Sequence, residues 1–285
     1  MQGNLQDLLD GRLPKLSKGQ KKIAEYILEH YDKAAFMTAS KLGGIVGVSE
    51  STVVRFASEL GFEGYPEMQK ALKEFTSHKL TSVQRMNVMN DRLGDEDVLE
   101  GILNFDIDQI RKTLEETDRE QFNHAVNALV GAKRIYVIGA RSAAVLARFL
   151  VFYFNIMFDN VKIIHTTSTS EMFEQILNIG EGDVMIGISF PRYSRHTVQA
   201  FEFAREKGAK TIAITDSETS PLARQSDCML LAHSDMASFA DSLVAPMSLI
   251  NALIAAVGKQ RREYVSGNLE QLENIWDKYN VFTRS

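Results

Sequence analysis

Five short apolar, β-branched runs dominate the second half of the chain and restrict its fold most tightly. They are Arg134–Gly139 (RIYVIG), Val161–His165 (VKIIH), Asp183–Ser189 (DVMIGIS), Lys210–Asp216 (KTIAITD) and Asp227–Ala232 (DCMLLA). Helical patterns separate most of them. Runs without polar alternation must be buried on both faces, and strands alternating with helices are joined in parallel by crossovers. The pattern predicts a doubly wound, five-stranded parallel sheet, an α/β domain over 98–285. Helices are expected at 98–116, after Asp118, and over 240–263 and 268–281.

In such sheets ligands sit beyond the carboxyl ends of the strands. Three loops fall there. The first is Gly139-Ala140-Arg141-Ser142, the second His165-Thr166-Thr167-Ser168-Thr169-Ser170, and the third Ser189-Phe190-Pro191-Arg192-Tyr193-Ser194-Arg195-His196-Thr197. Each turns into a helix, and free amides at a helix start attract anions. Hydroxyls add neutral donors, and arginines add bidentate charge. The expected ligand groups are Arg141, Ser142, Thr166, Ser168, Ser170, Ser189, Arg192, Ser194, Arg195 and Thr197, for a small anion. A dinucleotide fits less well. The first loop lacks G-x-G-x-x-G, and no acidic residue follows the second strand to hold a ribose.

Residues 1–78 read as all helix. Ser17 and Gln20 form a capping box. Gly47 supplies a turn, Ser49 an N-cap, and Gly61 a left-handed helix end. The helix between them, Glu50 to Leu60, turns Val53, Phe56, Ala57 and Leu60 inward and Ser51, Thr52, Arg55 and Ser58 outward. A short helix, a glycine turn and a second helix with a small polar face make a helix-turn-helix. The expected DNA contacts are Ser49, Glu50, Ser51, Thr52, Arg55 and Ser58, with Lys18 and Lys22 from a basic run between Arg12 and Lys22. Polar residues 79–97 read as a linker.

Charge adds a mild asymmetry. The first 80 residues hold 11 Lys and Arg against 10 Asp and Glu, and the remainder 21 against 27, within a net charge of −5. The single cysteine, Cys228, lies in an apolar run and is expected to be a buried, reduced thiol. The first ten residues, MQGNLQDLLD, lack the basic-then-apolar pattern of a secretory leader. The longest apolar stretch, Phe149 to Phe158, is about half of the roughly 20 residues that span a bilayer. Together these predict a cytoplasmic protein without a membrane partner. Neither paired histidine spacing nor a cysteine pair suggests a metal, and no cofactor is expected.

The order of helix-turn-helix, linker and doubly wound domain resembles the RpiR family of bacterial regulators, whose C-terminal part is a sugar isomerase (SIS) domain. The stretches GVSESTVVRFASELGFEGYPEMQKAL, RIYVIGARSAAVLA and DVMIGISFPRYSRHTVQAFEFAREKGAKTIAITDSETSPLARQSDCMLL carry the likeness. It implies a dimeric or tetrameric DNA-binding regulator that responds to a phosphorylated sugar or related metabolite. Two positions depart from the family pattern of small residues. Arg141 replaces the second glycine of the first loop, and Arg192 replaces the glycine of the third. In that loop Ser189 is kept, Ser194 stands for Thr, and Pro191 and His196 replace Ser and Glu. Either these arginines bind the anion or the pocket has changed its ligand.

The rival function is an aldose–ketose isomerase, which needs a proton-transferring base. Its candidates are Glu171, His165, His196 and His233. Replacement of the motif glutamate by His196 favours a sensor without catalysis. The apolar helix around Arg148–Phe158 and the C-terminal helices are the expected association surface.

Overall fold

The structure, a computed structural model, describes residues 16–77, 80–93, 97–165 and 168–283. The chain forms two compact units, Met1–Gly101 with Met236–Ala240, and Ile102–Asp235 with Asp241–Ser285.

The first unit is helical. Helix α1 (Lys18–Glu29) opens on the Ser17–Gln20 capping box and buries Ile23, Ala24 and Ile27. Short α2 (Tyr31–Ala34) leads to α3 (Ala39–Val46), whose N-cap Thr38 accepts from the Lys41 amide. Next come α4 (Glu50–Glu59), α5 (Tyr65–Ser77) and α6 (Ser82–Leu93). Ile23, Ile27, Leu42, Val53, Phe56, Met68 and Leu72 form the core. Each such side chain stabilises the unit by about 1.5–3 kcal/mol. The Tyr65 hydroxyl and the Gln69 amide both donate to the Met37 carbonyl, at 2.7 and 2.6 Å. Burial pushes the Tyr65 hydroxyl up to about 12. Helix α6 occupies the segment expected as a linker, and Leu80, Arg85 and Val88 are buried there.

The second unit begins within α7 (Val98–Glu116), followed by α8 (Arg119–Val130), whose cap Asp118 accepts from the Glu120 and Gln121 amides. The strands are β1 (Ile135–Gly139), β2 (Val161–Ile164), β3 (Val184–Ile188), β4 (Lys210–Thr215) and β5 (Cys228–Leu231). They pair in parallel, in the order β2-β1-β3-β4-β5. All five fall inside the five runs read from the sequence. Between them lie α9 (Ala143–Met157), α10 (Thr169–Ile176) and α11 (Arg195–Glu206), and α12 (Val244–Gln260) and α13 (Arg262–Tyr279) close the unit.

Alternate residues of β1 point to two separate cores. Ile135 and Val137 join a layer with α8, α9 and α12, while Tyr136 and Ile138 join α10 and α11. Helices thus cover both faces, which explains why β1 and β3 are buried throughout. Arg134, just before β1, pairs through two nitrogens with buried Asp183, at 3.0 and 2.7 Å. Its guanidinium pKa rises, chiefly through that hydrogen bond.

Helix α9 buries Leu146, Leu150, Val151, Phe154 and Met157 in its own core. Of the expected association surface on this helix, Arg148–Phe158, the large hydrophobic side chains that remain exposed are Phe152 and Tyr153. Cys228 is buried, and burial pushes its thiol pKa up.

Candidate functional site

Two arrangements carry chemistry, one in each unit. In the first, Gly47 caps α3 at φ 75°, and the Val48 amide donates back to Gly43 O at 2.9 Å. A Cβ on Gly43 would lie 2.8 Å from the Val48 carbonyl, so only glycine lets α3 meet the turn this closely. Ser49 then caps α4, accepting from the Thr52 amide at 3.3 Å, and its hydroxyl also meets Ser51 and Thr52 Oγ. These contacts fix the first turn of α4 and leave Glu50, Ser51 and Arg55 exposed.

Arg55 Nε donates to the Ser51 carbonyl at 3.3 Å, and Ser58 Oγ donates to Val54 O at 3.4 Å. Both residues keep their outer atoms toward solvent. Gly19 places α1 beside the same turn, since a Cβ there would stand 3.4 Å from Val48 and 3.6 Å from Thr52. Lys18, one residue earlier and exposed, shares that edge; Lys22 is exposed one turn on along α1. Arg12 and Lys15, of the same basic run, lie outside the described residues.

In the second unit the strand order reverses direction between β1 and β3, the topological switch point of this sheet. The first and third loops flank it. Both put an arginine in the left-handed region, Arg141 at φ 57° and Arg192 at φ 65°. A side chain there costs about 1–2 kcal/mol, which is why glycine is the ordinary occupant. Arg141, Arg192 and Arg195 are exposed, and their side chains make no hydrogen bond or ion pair among the described residues.

The helix starts differ. Ser168 and Ser194 cap α10 and α11, accepting from the Glu171 and Thr197 amides. Ser142 makes no such bond, so the first amides of α9 carry no side-chain cap. The Ala144 and Val145 amides donate instead to the Arg141 and Ser142 carbonyls, each at 3.1 Å. Buried Ser189 accepts from the Ser194 amide at 3.3 Å and shapes the third loop. Thr197 is wholly buried, and its Oγ1 has no partner among the described residues. This orphaned hydroxyl lies in the first turn of α11. Ser170 Oγ donates to Glu174 and is committed there. Thr166 lies outside the described residues.

A link between strand ends was not foreseen from the sequence. The Tyr193 hydroxyl donates to Asp216 Oδ1 at 2.9 Å, tying the third loop to the end of β4. Burial holds the Asp216 carboxyl above the ordinary aspartate value, against the lowering effect of bonds from Tyr193 and Thr215.

The groups considered for isomerisation are dispersed among other partners. His196 Nε2 stands 3.1 Å from Thr169 Oγ1, and His233 Nε2 stands 2.9 Å from Glu116 Oε2. The His165 backbone is held by Gln175, and Glu171 sits in the first turn of α10. Among the described residues, no group of three or more His, Cys, Asp and Glu could hold a metal ion, and no helix is long and apolar enough to cross a membrane.

A helix-turn-helix reader joined to a doubly wound receptor is the architecture of a ligand-controlled transcription regulator. The family model of the rpiR-family helix-turn-helix domain matches residues 3–79, and that of the SIS domain matches 128–256. The chain belongs to the RpiR family of helix-turn-helix transcriptional regulators that carry a SIS domain.

The HTH-type transcriptional regulator HexR of Escherichia coli is 29% identical over 225 residues, 78% of this chain and 75% of that protein. The sugar isomerase domain of an RpiR transcription factor from Sphaerobacter thermophilus is 29% identical, with a TM-score of 0.58 over 61% of this chain and 96% of that one. NanR of Vibrio vulnificus, solved in complex with ManNAc-6P, shares the fold. Its TM-score is 0.61 at 21% identity, over 99% of this chain and 100% of that one.

Proposed function

We propose that this chain binds a double-stranded operator through α4 and releases or grips it according to a small phosphorylated sugar, or a related anion, held at the carboxyl edge of its parallel sheet. The observation that supports this most is the pair of left-handed arginines, Arg141 and Arg192, on the two loops that flank the switch point. The side chains of both have no partner among the described residues, and they share the sheet edge with the start of α9, which has no side-chain cap, and with Thr197, whose hydroxyl is unpartnered among the described residues. Of the two readings of these substitutions, direct anion binding is the one that uses the strained backbone. The ManNAc-6P in the NanR complex is a phosphorylated sugar of the class envisaged.

On the DNA side, Ser49, Glu50, Ser51, Thr52, Arg55 and Ser58 read or position, with Lys18 and Lys22 on phosphates. Two or four copies act together in the cytoplasm. Their recognition helices meet successive major grooves about 34 Å apart, or a multiple of that. The ligand biases the equilibrium by its different affinity for two arrangements of the chain.

A thermal-shift panel of phosphorylated sugars tests the ligand half. A ligand at about a hundred times its Kd adds about 2.7 kcal/mol to the folded state. Arg192→Ala should abolish that shift for the responding sugar; an unchanged shift would remove Arg192 from the site. Arg55→Ala should weaken operator binding in a gel-shift titration, and unchanged affinity would reject its role.

A further inference from the structure

The outer face of α4 is less polar than its serines suggest. Val53 and Phe56 are wholly buried, but Val54 is 40% exposed. It lies one turn beyond Glu50 and Ser51 and one turn before Ser58, so these residues and Arg55 share one exposed stripe. The hydroxyls beside it are already engaged. Ser51 Oγ meets Ser49 Oγ at 2.9 Å, Thr52 Oγ1 meets it at 2.8 Å, and Ser58 Oγ donates to the Val54 carbonyl at 3.4 Å. Arg55 uses Nε on the Ser51 carbonyl at 3.3 Å, which leaves its two terminal nitrogens uncommitted among the described residues. What the stripe offers to a groove is therefore a guanidinium fork, the Glu50 carboxylate and the two methyls of Val54.

A lone exposed valine is ordinary on a protein surface. This one serves neither the core nor a cap, and a β-branched residue is a poorer helix former than the alanine or lysine that would suit an open face. In the major groove thymine is marked by its C5-methyl, which apolar side chains read by contact, while the other bases are read by hydrogen bonds. We propose that Val54 is a specificity-determining residue, which packs its methyls on the C5-methyl of one thymine in each half-site, beside the base pair that Arg55 reaches. This rests on the reading of α4 as the helix that enters the major groove. The contact removes two apolar surfaces from water and involves no charge, so it adds discrimination without releasing counterions.

A duplex enriched by the full chain from a random-sequence pool supplies the probe. Replacing one thymidine at a time by deoxyuridine deletes the methyl and keeps the base pair. Anisotropy titrations of the unaltered chain should find a thymine in each half-site whose replacement weakens binding about fourfold, the effect of one methyl leaving an apolar contact. In Val54→Ala that replacement should no longer matter, while the penalties at other base pairs persist. The salt dependence of affinity should be the same for both proteins, since no phosphate contact is lost. Alanine favours helix, so the circular dichroism of the variant should be unchanged.

A duplex indifferent to every thymine methyl, or an equal penalty in Val54→Ala, overturns the role of the valine and leaves α4 as the reader. A penalty that survives Val54→Ala but disappears in Arg55→Ala assigns the methyl contact to the arginine stem, against the proposal. A weaker salt dependence in Val54→Ala would reveal a displaced helix rather than a lost methyl, and also overturns it. If the pool yields no preferred duplex, the operator reading itself fails and the valine's role fails with it.

Discussion

At the scale of residues, the local caps are the most legible part of the chain. Ser17, Ser49 and Asp118 cap their helices as expected, because the bond runs only two or three residues along the chain, whereas Ser168 and Ser194, read as ligand groups, also serve as caps. The left-handed backbone at Arg141 and Arg192 was less accessible. Their family positions favour small residues, but the sign of φ belongs to the turn, not to arginine. Strain held at such a site implies a trade between stability and response. Arg192→Gly should therefore raise stability by roughly 0.5–1 kcal/mol in urea unfolding, since relief of the left-handed strain exceeds the glycine entropy cost. The same change should remove the ligand-induced thermal shift. A loss of stability would show that the loop gains nothing from relaxation.

Asp216 offers a second residue-scale test. An acid whose folded pKa lies above its unfolded value holds its proton better when folded. Its contribution is present at low pH and lost as pH climbs from the ordinary aspartate value through the raised one. Asp216→Asn keeps an acceptor for Tyr193 and cannot ionise, so stability should fall less across that window. Identical pH profiles for the two proteins would mean that Asp216 is solvated.

At the scale of elements, all five strands were readable because a doubly covered sheet demands uninterrupted apolar runs. Helix α6 was not, because residues 79–97 are mostly polar and, among the described residues, the buried ones there are Leu80, Arg85 and Val88. Its helicity follows from tertiary packing, which outweighs local composition. The C-terminal pair was read with a gap near Gly267, whereas α13 runs through that glycine from Arg262 to Tyr279. An exposed glycine costs only about 1 kcal/mol within a helix, too little to break one that long. Sheet anchoring is the element-scale prediction. Arg134 bridges β1 to buried Asp183 and to the Asn178 carbonyl at 2.7 Å. Arg134→Ala should cost about 2–3 kcal/mol by chemical denaturation, because Asp183 keeps the Gly180 amide but loses its charged partner. A cost below about 0.5 kcal/mol would show the pair to be incidental.

At the scale of the molecule, reader and receptor were legible as separate modules, because each is specified by its own periodicity. Which helix face each module leaves exposed was not. The sequence reads the helix around Arg148–Phe158 as a free apolar surface, yet most of that helix is consumed by its own core, while Leu103, Ile107 and Leu114 of α7 are exposed. Hydrophobicity along a chain does not tell which side a helix turns to its domain. That choice was made by Gln109 and Thr113, whose side chains satisfy backbone amides beyond β5.

If an anion at the sheet edge controls the reader, its binding changes the grip on DNA. Fluorescence anisotropy of a labelled operator, titrated with the chain in the absence and presence of the tightest sugar phosphate from the thermal panel, measures this directly. The half-saturating protein concentration should move by about tenfold or more on adding the sugar. In Arg192→Ala the curve without sugar should be unchanged and the movement lost. Superimposable curves for the unaltered chain, at sugar concentrations that saturate its thermal shift, would contradict the account.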